Sequence, residues 1–165
     1  MKKFTIVGGA DGVGKSSFLG SLNEQRGDLG VIVDADKINL RFNGDKVKGE
    51  KTASQMISDC LEREISFTPE TTLSGHKTLK TVKEAREKNY CVRLYYIGIS
   101  SAQESLLRIE NRVKKGGHGI PESDVLRRYK SRFEDLLRVL PYCDEAQKTK
   151  ATPHNYRLRL FHSLT

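Results

Sequence analysis

Residues 9–16 read Gly-Ala-Asp-Gly-Val-Gly-Lys-Ser and match the phosphate-binding pattern G-x-x-x-x-G-K-S/T at every fixed position. The match follows a short apolar run at residues 4–8 (FTIVG) and precedes a segment, residues 16–26, that we expect to form a helix. A strand, a glycine-rich turn and a helix in this order are the context that a P-loop requires. The stretch therefore predicts an α/β protein whose first strand–helix turn holds the phosphates of a nucleotide.

The chemistry of this loop assigns roles to its residues. Its glycines let backbone N–H groups wrap around the β-phosphate, and the N-terminus of the following helix adds positive potential. The Lys15 amine is expected to bridge the β- and γ-phosphates, and the Ser16 hydroxyl to bind Mg²⁺, which prefers oxygen ligands. We therefore expect Mg²⁺ to enter with ATP or GTP. The predicted nucleotide contacts in this segment are Gly9, Ala10, Asp11, Gly12, Val13, Gly14, Lys15, Ser16 and Ser17.

Apolar runs and amphipathic segments alternate along the rest of the chain. Strands are predicted at residues 31–33, 67–72 and 90–99, and helices at residues 51–66, 78–89 and 101–113. Strands that alternate with helices favour a three-layer P-loop fold, with a mostly parallel sheet and helices on both faces. Pro69 would have to lie in an edge strand or at a strand start, because proline cannot donate to the ladder.

Length and composition suit a single domain over residues 1–165. The chain is 36% hydrophobic, and no apolar run approaches the roughly 18–20 residues that a membrane span needs. The three cysteines form no C-x-x-C pair, and the four histidines show no zinc-site spacing. We expect a cytoplasmic protein with reduced thiols. Within the ambiguous tail at residues 146–165, residues 156–161 are either a final edge strand or part of the tail.

Two helices separated by glycines form a predicted lid at about residues 112–128. Ser101-Ala-Gln-Glu104 is a capping box that opens the first helix, and Pro121 suits the start of the second. The second helix carries a predicted apolar stripe of Leu126, Tyr129, Phe133, Leu136 and Leu140. Arg112, His118 and Arg128 flank the glycine break and are expected to close over the nucleotide phosphates. The alternative is a solvated helix–loop–helix.

Positive charge is concentrated around this lid. The chain carries a net charge of +8, and residues 108–132 hold eight basic and three acidic residues, so five of the eight net charges lie there. A local cluster favours a phosphate clamp for a phosphorylated small molecule over a general nucleic-acid coat. Aromatic residues make up 7% of the chain and do not interleave with the basic cluster as a stacking platform would require. Nucleic acid and membranes are therefore not expected as partners.

Two aspartates follow the second predicted strand, at the edge of the sheet where ligands of parallel sheets bind. A carboxylate near the γ-phosphate could accept the proton of an attacking hydroxyl or hold Mg²⁺ through water. Asp34 ends a Val-Ile-Val-Asp run that resembles a Walker B strand, and either Asp34 or Asp36 could instead cap the following helix. For Glu70, with Thr71, Thr72 and Ser74, spacing alone favours an ordinary turn.

These segments together resemble the zeta toxin family of P-loop kinases from bacterial toxin–antitoxin systems. The resemblance runs over residues 4–142 and comprises the P-loop, Val33-Asp-Ala-Asp36, Glu70-Thr-Thr-Leu-Ser-Gly75, Asn111-Arg-Val, Gly116-Gly-His-Gly-Ile-Pro121 and Arg127-Arg-Tyr129. It implies phosphorylation of a hydroxyl group by ATP or GTP, which in the larger toxins is the 3′-hydroxyl of the amino sugar in UDP-N-acetylglucosamine. It also raises an antitoxin protein as a partner.

The resemblance also implies site residues by position. Lys15 and Ser16 would hold phosphate and Mg²⁺, Asp36 would be the general base, and Arg112 would clamp phosphate. Glu70 and Thr72 would contact the small-molecule acceptor, and we include Asp34 with them. The larger toxins carry an extension before the P-loop, a lid arginine where this chain has His118, and a different last strand and helix. The rival functions are a nucleic-acid-binding P-loop NTPase and a catalytically silent nucleotide-binding module.

Overall fold

The computed structural model describes residues 1–150 and the backbone of residues 157–161. Within this part, the strands are β1 Lys3–Gly9, β2 Val31–Val33, β3 Phe67–Thr71, β4 Cys91–Gly98, β5 Glu145–Lys150 and β6 Arg157–Phe161. The helices are α1 Lys15–Gln25, α2 Ala35–Arg41, α3 Lys46–Glu62, α4 Lys77–Glu87, α5 Ala102–Lys114 and α6 Glu122–Val139, and a 3-10 turn at Leu140–Tyr142 extends α6. No helix among the described residues is long and apolar enough to cross a bilayer.

All six strands join one sheet in the order β2-β3-β1-β4-β5-β6. The central strand β1 pairs in parallel with β3 and β4, and β2 and β5 continue the parallel arrangement outward. The last strand, β6, pairs antiparallel with β5. The predicted α/β fold with a mostly parallel sheet is confirmed. Residues 157–161 form an edge strand, which is one of the two alternatives for the tail.

Helices cover both faces of the sheet because its central strands send alternate side chains into two apolar cores. On one face, Phe4 of β1 packs in a core with residues of α3, α4 and α6, including Cys60, Val82 and Val139. On the other face, Val7 packs with Phe18, Leu19 and Leu22 of α1 and with Tyr95 and Ile97 of β4. Burial on both faces explains the continuous apolar runs of β1 and β4.

The expected position of Pro69 was wrong. Pro69 lies in β3, which is an interior strand between β2 and β1. Its partner across the ladder is Val33, the last residue of the three-residue strand β2. The β1–β3 register runs from Phe4↔Phe67 to Val7↔Glu70 with no pair at the two positions between them, so the missing N–H of the proline interrupts the middle of the β1–β3 ladder.

The apolar stripe predicted for α6 is also partly wrong. Leu126 and Phe133 are 40% and 49% exposed, whereas Val125 and Val139 are buried. The polar Asp135 is buried as well, and its carboxylate accepts a hydrogen bond from the Ser131 hydroxyl at 2.8 Å. The face that packs on the protein is therefore rotated from the face that the leucine spacing predicted.

Candidate active site

A cleft of about 570 Å³ lies where β1, β2 and β3 end and the helices after them begin. It is lined by the P-loop, by the start of α2 and α3, by the end of β3, and by α5, α6 and the loop between them. The lining residues are Asp11, Gly12, Gly14, Lys15, Ser16, Ser17, Asp34, Ala35, Asp36, Asn39, Lys46, Glu50, Glu70, Thr71, Thr72, Arg108, Arg112, Ile120, Pro121, Asp124 and Arg128. Parallel strands thus gather the predicted site residues at one edge of the sheet.

The P-loop has the backbone geometry that its glycines allow. Gly12 has φ +72, in the left-handed region that favours glycine. A Cβ at Gly9 would lie 2.5 Å from the carbonyl oxygen of Ile97 in β4, so only glycine fits there. Ala10 and Val13 are buried, and their side chains pack in the core beneath the loop. Neither these two residues nor Gly9 is among the residues that line the cleft.

Lys15 begins α1 and is buried, with 8% of its surface exposed. Its Nζ donates a hydrogen bond to the carbonyl oxygen of Ala10 at 3.1 Å. Burial lowers the pKa of this amine, while the negative charges of Glu70, Asp11 and Asp36 act in the opposite direction. The lysine is thus held inside the P-loop, at a point surrounded by carboxylates.

Ser16 and Glu70 contact each other across the cleft. The Ser16 hydroxyl donates a hydrogen bond to Glu70 Oε2 at 2.7 Å. Burial raises the pKa of the Glu70 carboxyl, and the charge of Lys15 and the hydrogen bond from Ser16 oppose that rise. The strand β3 places Glu70 here because Glu70 lies opposite Val7 in the ladder, just before the P-loop begins.

The structure gives different environments to Asp34 and Asp36, between which the sequence alone did not distinguish. Asp34 is the N-cap of α2: its Oδ1 accepts a hydrogen bond from the Lys37 backbone N–H at 3.1 Å, and only 4% of its surface is exposed. Its Oδ2 has no hydrogen-bond partner among the described residues, although Lys37 Nζ lies 3.6 Å away. Asp36 lies in the first turn of α2, and its side chain is 61% exposed. The capping role therefore falls to Asp34, and Asp36 is the accessible carboxylate.

Arginines from α5 and α6 reach the cleft from the side of the predicted lid. Arg112 Nη1 lies 3.7 Å from Asp36 Oδ2, and Arg112 Nη2 donates to the carbonyl oxygen of His118 at 2.7 Å. Arg128 Nη1 donates to both carboxylate oxygens of Asp11 at 3.2 and 3.3 Å. Each arginine thus pairs with a carboxylate of the cleft in this structure.

Other predicted residues lie less centrally. His118 is exposed and is not among the residues that line the cleft, so its predicted contact with nucleotide remains untested. Thr72 lines the cleft, with its hydroxyl 2.8 Å from that of Ser74. Arg108, from the basic cluster interpreted as a phosphate clamp, lines the cleft too. Asn39, Lys46 and Glu50 also line it, and no sequence pattern indicated a role for them.

The donors around the loop fit Mg²⁺. This ion takes oxygen ligands and retains several waters. The Ser16 hydroxyl, the carboxylate of Glu70 and the buried Oδ2 of Asp34, which accepts no hydrogen bond among the described residues, are oxygens of this kind, and all three residues line the cleft.

Known proteins are similar to this chain in sequence or in fold. A protein of Haemophilus influenzae, described as uncharacterized, is 34% identical over 126 residues, which cover 73% of this chain and 88% of that protein. A complex of AvrRxo1-ORF1 and AvrRxo1-ORF2 with ATP has a TM-score of 0.71 at 14% identity, over 99% of this chain and 58% of that chain. The chain thus spans less than two thirds of that relative.

A second solved structure is of the PezAT chromosomal toxin–antitoxin system of Streptococcus pneumoniae. Its TM-score is 0.63 at 16% identity, and the match covers 99% of this chain and 75% of that chain. At such identities, both structural likenesses concern the fold. The family model described as Zeta toxin matches residues 1–149, which is most of the sequence. On that match, the chain belongs to the zeta toxin family.

Proposed function

We propose that this protein is a P-loop kinase that transfers the γ-phosphoryl group of ATP or GTP to a hydroxyl group of a small acceptor. The observation that supports this most is the shared cleft of Lys15, Asp36 and Arg112. A phosphate-binding lysine, an accessible carboxylate and a lid cation are the three groups that such a transfer needs. A nucleotide-binding module without chemistry would need only the first.

The P-loop would bind the nucleotide. Its backbone N–H groups and the Lys15 ammonium would hold the β- and γ-phosphates, and Arg112 and Arg128 would approach from the lid side. Ser16, with oxygens of Asp34 and Glu70 nearby, would hold Mg²⁺, which neutralises phosphate charge when bound. Arginine charges that face the γ-phosphoryl group stabilise the negative charge that spreads over its oxygens during transfer.

Asp36 would act as the general base. The acceptor oxygen attacks the γ-phosphorus, its proton passes to the Asp36 carboxylate, and the bond from the γ-phosphorus to the β–γ bridging oxygen breaks, so that ADP or GDP leaves. Asp36 suits this role because it is exposed to the cleft and lies on a helix that the Asp34 cap holds in place. Asp34, by contrast, already uses one oxygen in the cap.

The proposed acceptor is a small molecule that carries a hydroxyl group. Thr72 and Glu70 line the cleft beside Asp36, and the zeta-toxin resemblance favours a sugar nucleotide as the acceptor. The PezAT system pairs a toxin with an antitoxin, so an antitoxin partner and a cytoplasmic location belong to the same proposal. The arrangement of the basic cluster favours this reading over nucleic-acid binding, because Arg108, Arg112 and Arg128 line a concave cleft.

The test is incubation with γ-labelled ATP or GTP and a panel of sugar nucleotides and polyols, followed by identification of the labelled product. We expect label in one class of hydroxylated acceptor. Release of free phosphate alone, together with salt-sensitive mobility shifts of oligonucleotides, would favour the nucleic-acid-binding NTPase. Nucleotide binding with neither product nor phosphate release would favour the silent module.

A further inference from the structure

Glu70 contacts the phosphate side of the cleft. Its Oε2 accepts the hydrogen bond of the Ser16 hydroxyl, the group expected to bind Mg²⁺. Glu70 is opposite Val7 in the β1–β3 ladder, which fixes it beside the strand that leads into the P-loop. The positive charge of Lys15 opposes the rise in the pKa of the Glu70 carboxyl that burial causes. These contacts join Glu70 to the two P-loop side chains that handle phosphate and metal.

The distance between the two oxygens is that of neighbouring metal ligands. Mg²⁺ binds oxygens in a near-octahedral arrangement at about 2.0–2.1 Å, so adjacent oxygens of its shell are about 2.9 Å apart. Ser16 Oγ and Glu70 Oε2 are 2.7 Å apart. An oxygen on Glu70 therefore lies where a direct ligand, or the partner of a metal-bound water, would have to be.

Asp34, the Walker B candidate of the sequence, is less suited to this position. Its Oδ1 is committed to the Lys37 N–H in the cap of α2, and its Oδ2 faces the Lys37 ammonium at 3.6 Å. No hydrogen bond joins Asp34 to Ser16 among the described contacts. Glu70 is thus the carboxylate in direct contact with the P-loop serine.

We propose that Glu70 is the carboxylate that faces the Mg²⁺ ion beside Ser16, directly or through one metal-bound water, and that its main role is not to contact the acceptor. This inference rests on the proposed function, because it requires a Mg–nucleotide complex in the P-loop. It differs from the acceptor role that the family resemblance implies for this position. The two roles are separable because a metal-side carboxylate acts even when no acceptor is present.

The experiment measures nucleotide affinity without acceptor. A fluorescent, non-hydrolysable ATP or GTP analogue is titrated with wild type, Glu70→Gln and Glu50→Gln, each in Mg²⁺ and in EDTA. Glu50 is the matched control because it lines the same cleft from α3 and undergoes the same chemical change. We expect Mg²⁺ to strengthen wild-type binding, and Glu70→Gln to lose about tenfold of that enhancement, the effect of one hydrogen bond to a charged group. Glu50→Gln should keep the full enhancement.

The outcomes separate this inference from the function on which it rests. Full Mg²⁺ enhancement in a folded Glu70→Gln would overturn the metal role of Glu70, while the kinase proposal would stand. Absence of wild-type binding to either nucleotide analogue would overturn both. An equal loss in Glu50→Gln would also overturn the assignment, because the effect would then be one of general cleft charge.

Two further measurements cover the case in which Glu70→Gln does not fold. Glu70→Asp keeps the charge but withdraws it from Ser16 by one methylene, so it should lose part of the Mg²⁺ enhancement, and full retention would contradict the proposal. Mn²⁺ can replace Mg²⁺ as a paramagnetic probe, with its binding followed by electron paramagnetic resonance. Ser16→Ala and Glu70→Asp should have non-additive effects on Mn²⁺ affinity in the presence of the analogue, because both act on one ion. Additive effects would place Glu70 away from the ion.

Discussion

At the scale of single residues, Lys15 illustrates a conflict between stability and binding. Its amine is buried, which lowers its pKa and opposes the charged form that phosphate requires. We predict that Lys15→Met abolishes nucleotide affinity and transfer together, while thermal unfolding without nucleotide shifts to the same or a higher temperature, because a desolvated charge is removed. Fluorescent-nucleotide titration and thermal melts measure the two effects.

Lys46→Met is the matched control for Lys15→Met. Lys46 lines the same cleft but is exposed, so losing its charge should change the melting temperature little. A folded Lys15→Met protein with unchanged nucleotide affinity would show that residues 9–16 are not the nucleotide site.

The two aspartates carry the second prediction. Asp36→Asn should leave nucleotide affinity near normal and lower transfer roughly 10²- to 10⁴-fold, because it removes the base but keeps the shape of the side chain. Asp34→Asn should instead destabilise the protein by up to about 1 kcal/mol in urea denaturation, because the amide keeps the cap of α2 but removes a negative charge from the N-terminus of the helix. Transfer rates and urea melts of both variants decide the assignment. If Asp34→Asn loses transfer while Asp36→Asn retains it, the base is misassigned.

At the scale of residues, the sequence predicts a site residue when the chemistry of binding fixes the spacing of the motif that contains it. The P-loop residues were predictable because phosphate binding fixes their spacing, and the cleft contains most of them. The place of Asn39 in the cleft was not predictable, because it depends on a tertiary contact. A Cβ at Gly49 of α3 would lie 1.5 Å from Asn39 Oδ1, so α2 and α3 can approach this closely only because residue 49 is glycine. No local pattern in the sequence encodes such an approach between two helices.

At the scale of elements, the predicted lid at about residues 112–128 carries a prediction about Arg112. Arg112→Ala should lower the saturated turnover by roughly 10- to 100-fold, the range for lost charged hydrogen bonds, and should weaken nucleotide binding less. The control is Arg127→Ala, since Arg127 is exposed and pairs with Asp124 in its own helix. Steady-state kinetics and nucleotide titration are compared. If nucleotide affinity and kcat/KM fall by the same factor while kcat is unchanged, Arg112 binds the ground state and the transition state equally and does not act on the transferring phosphoryl group.

Element boundaries show where sequence patterns succeed and fail. The capping box at Ser101 fixed the start of α5, and its hydroxyl accepts from the Glu104 N–H at 3.1 Å. The helix α3 begins at Lys46, five residues before its predicted start, because Asp45 caps it. The strand β5 was missed because Glu145–Lys150 is mostly polar, and its pairing with β4 is a long-range contact. Helix caps can thus be predicted from the local sequence, whereas pairing between strands distant in sequence cannot.

At the scale of the whole molecule, a charge network at the far end of the sheet joins segments distant in sequence. Asp28 accepts hydrogen bonds from Arg26, Arg93 and Lys3, and Arg93, which is buried in β4, also donates to Glu145 of β5 at 3.0 Å. Hydrogen bonds from Arg26 first, then from Arg93 and Lys3, hold the pKa of Asp28 far below its usual range. The network lies outside the cleft, so it should affect stability and leave nucleotide binding unchanged.

This network gives a pH-dependent prediction. Because the folded-state pKa of Asp28 is depressed, its contribution is present above its unfolded pKa of about 4 and is lost as pH falls below that value. Asp28→Asn should therefore cost about 3 kcal/mol of unfolding free energy at pH 7, since Arg93 stays buried with one partner fewer. The difference from wild type should shrink as the pH is lowered below 4. Urea denaturation over a pH series measures it, and a difference that is constant with pH would contradict the role of the Asp28 charge.

The pairing of Arg112 with Asp36 has a consequence for the order of substrate addition. While the guanidinium lies 3.7 Å from the carboxylate, the proposed base is engaged by the lid and is poorly placed to receive an acceptor proton. Nucleotide phosphates would draw Arg112 toward themselves and release Asp36, so nucleotide should bind first and acceptor second. Product-inhibition patterns should then be those of an ordered sequential mechanism, and Arg112→Ala should change them toward random addition. A wild-type enzyme that binds acceptor equally well with and without nucleotide would show that the ion pair imposes no order.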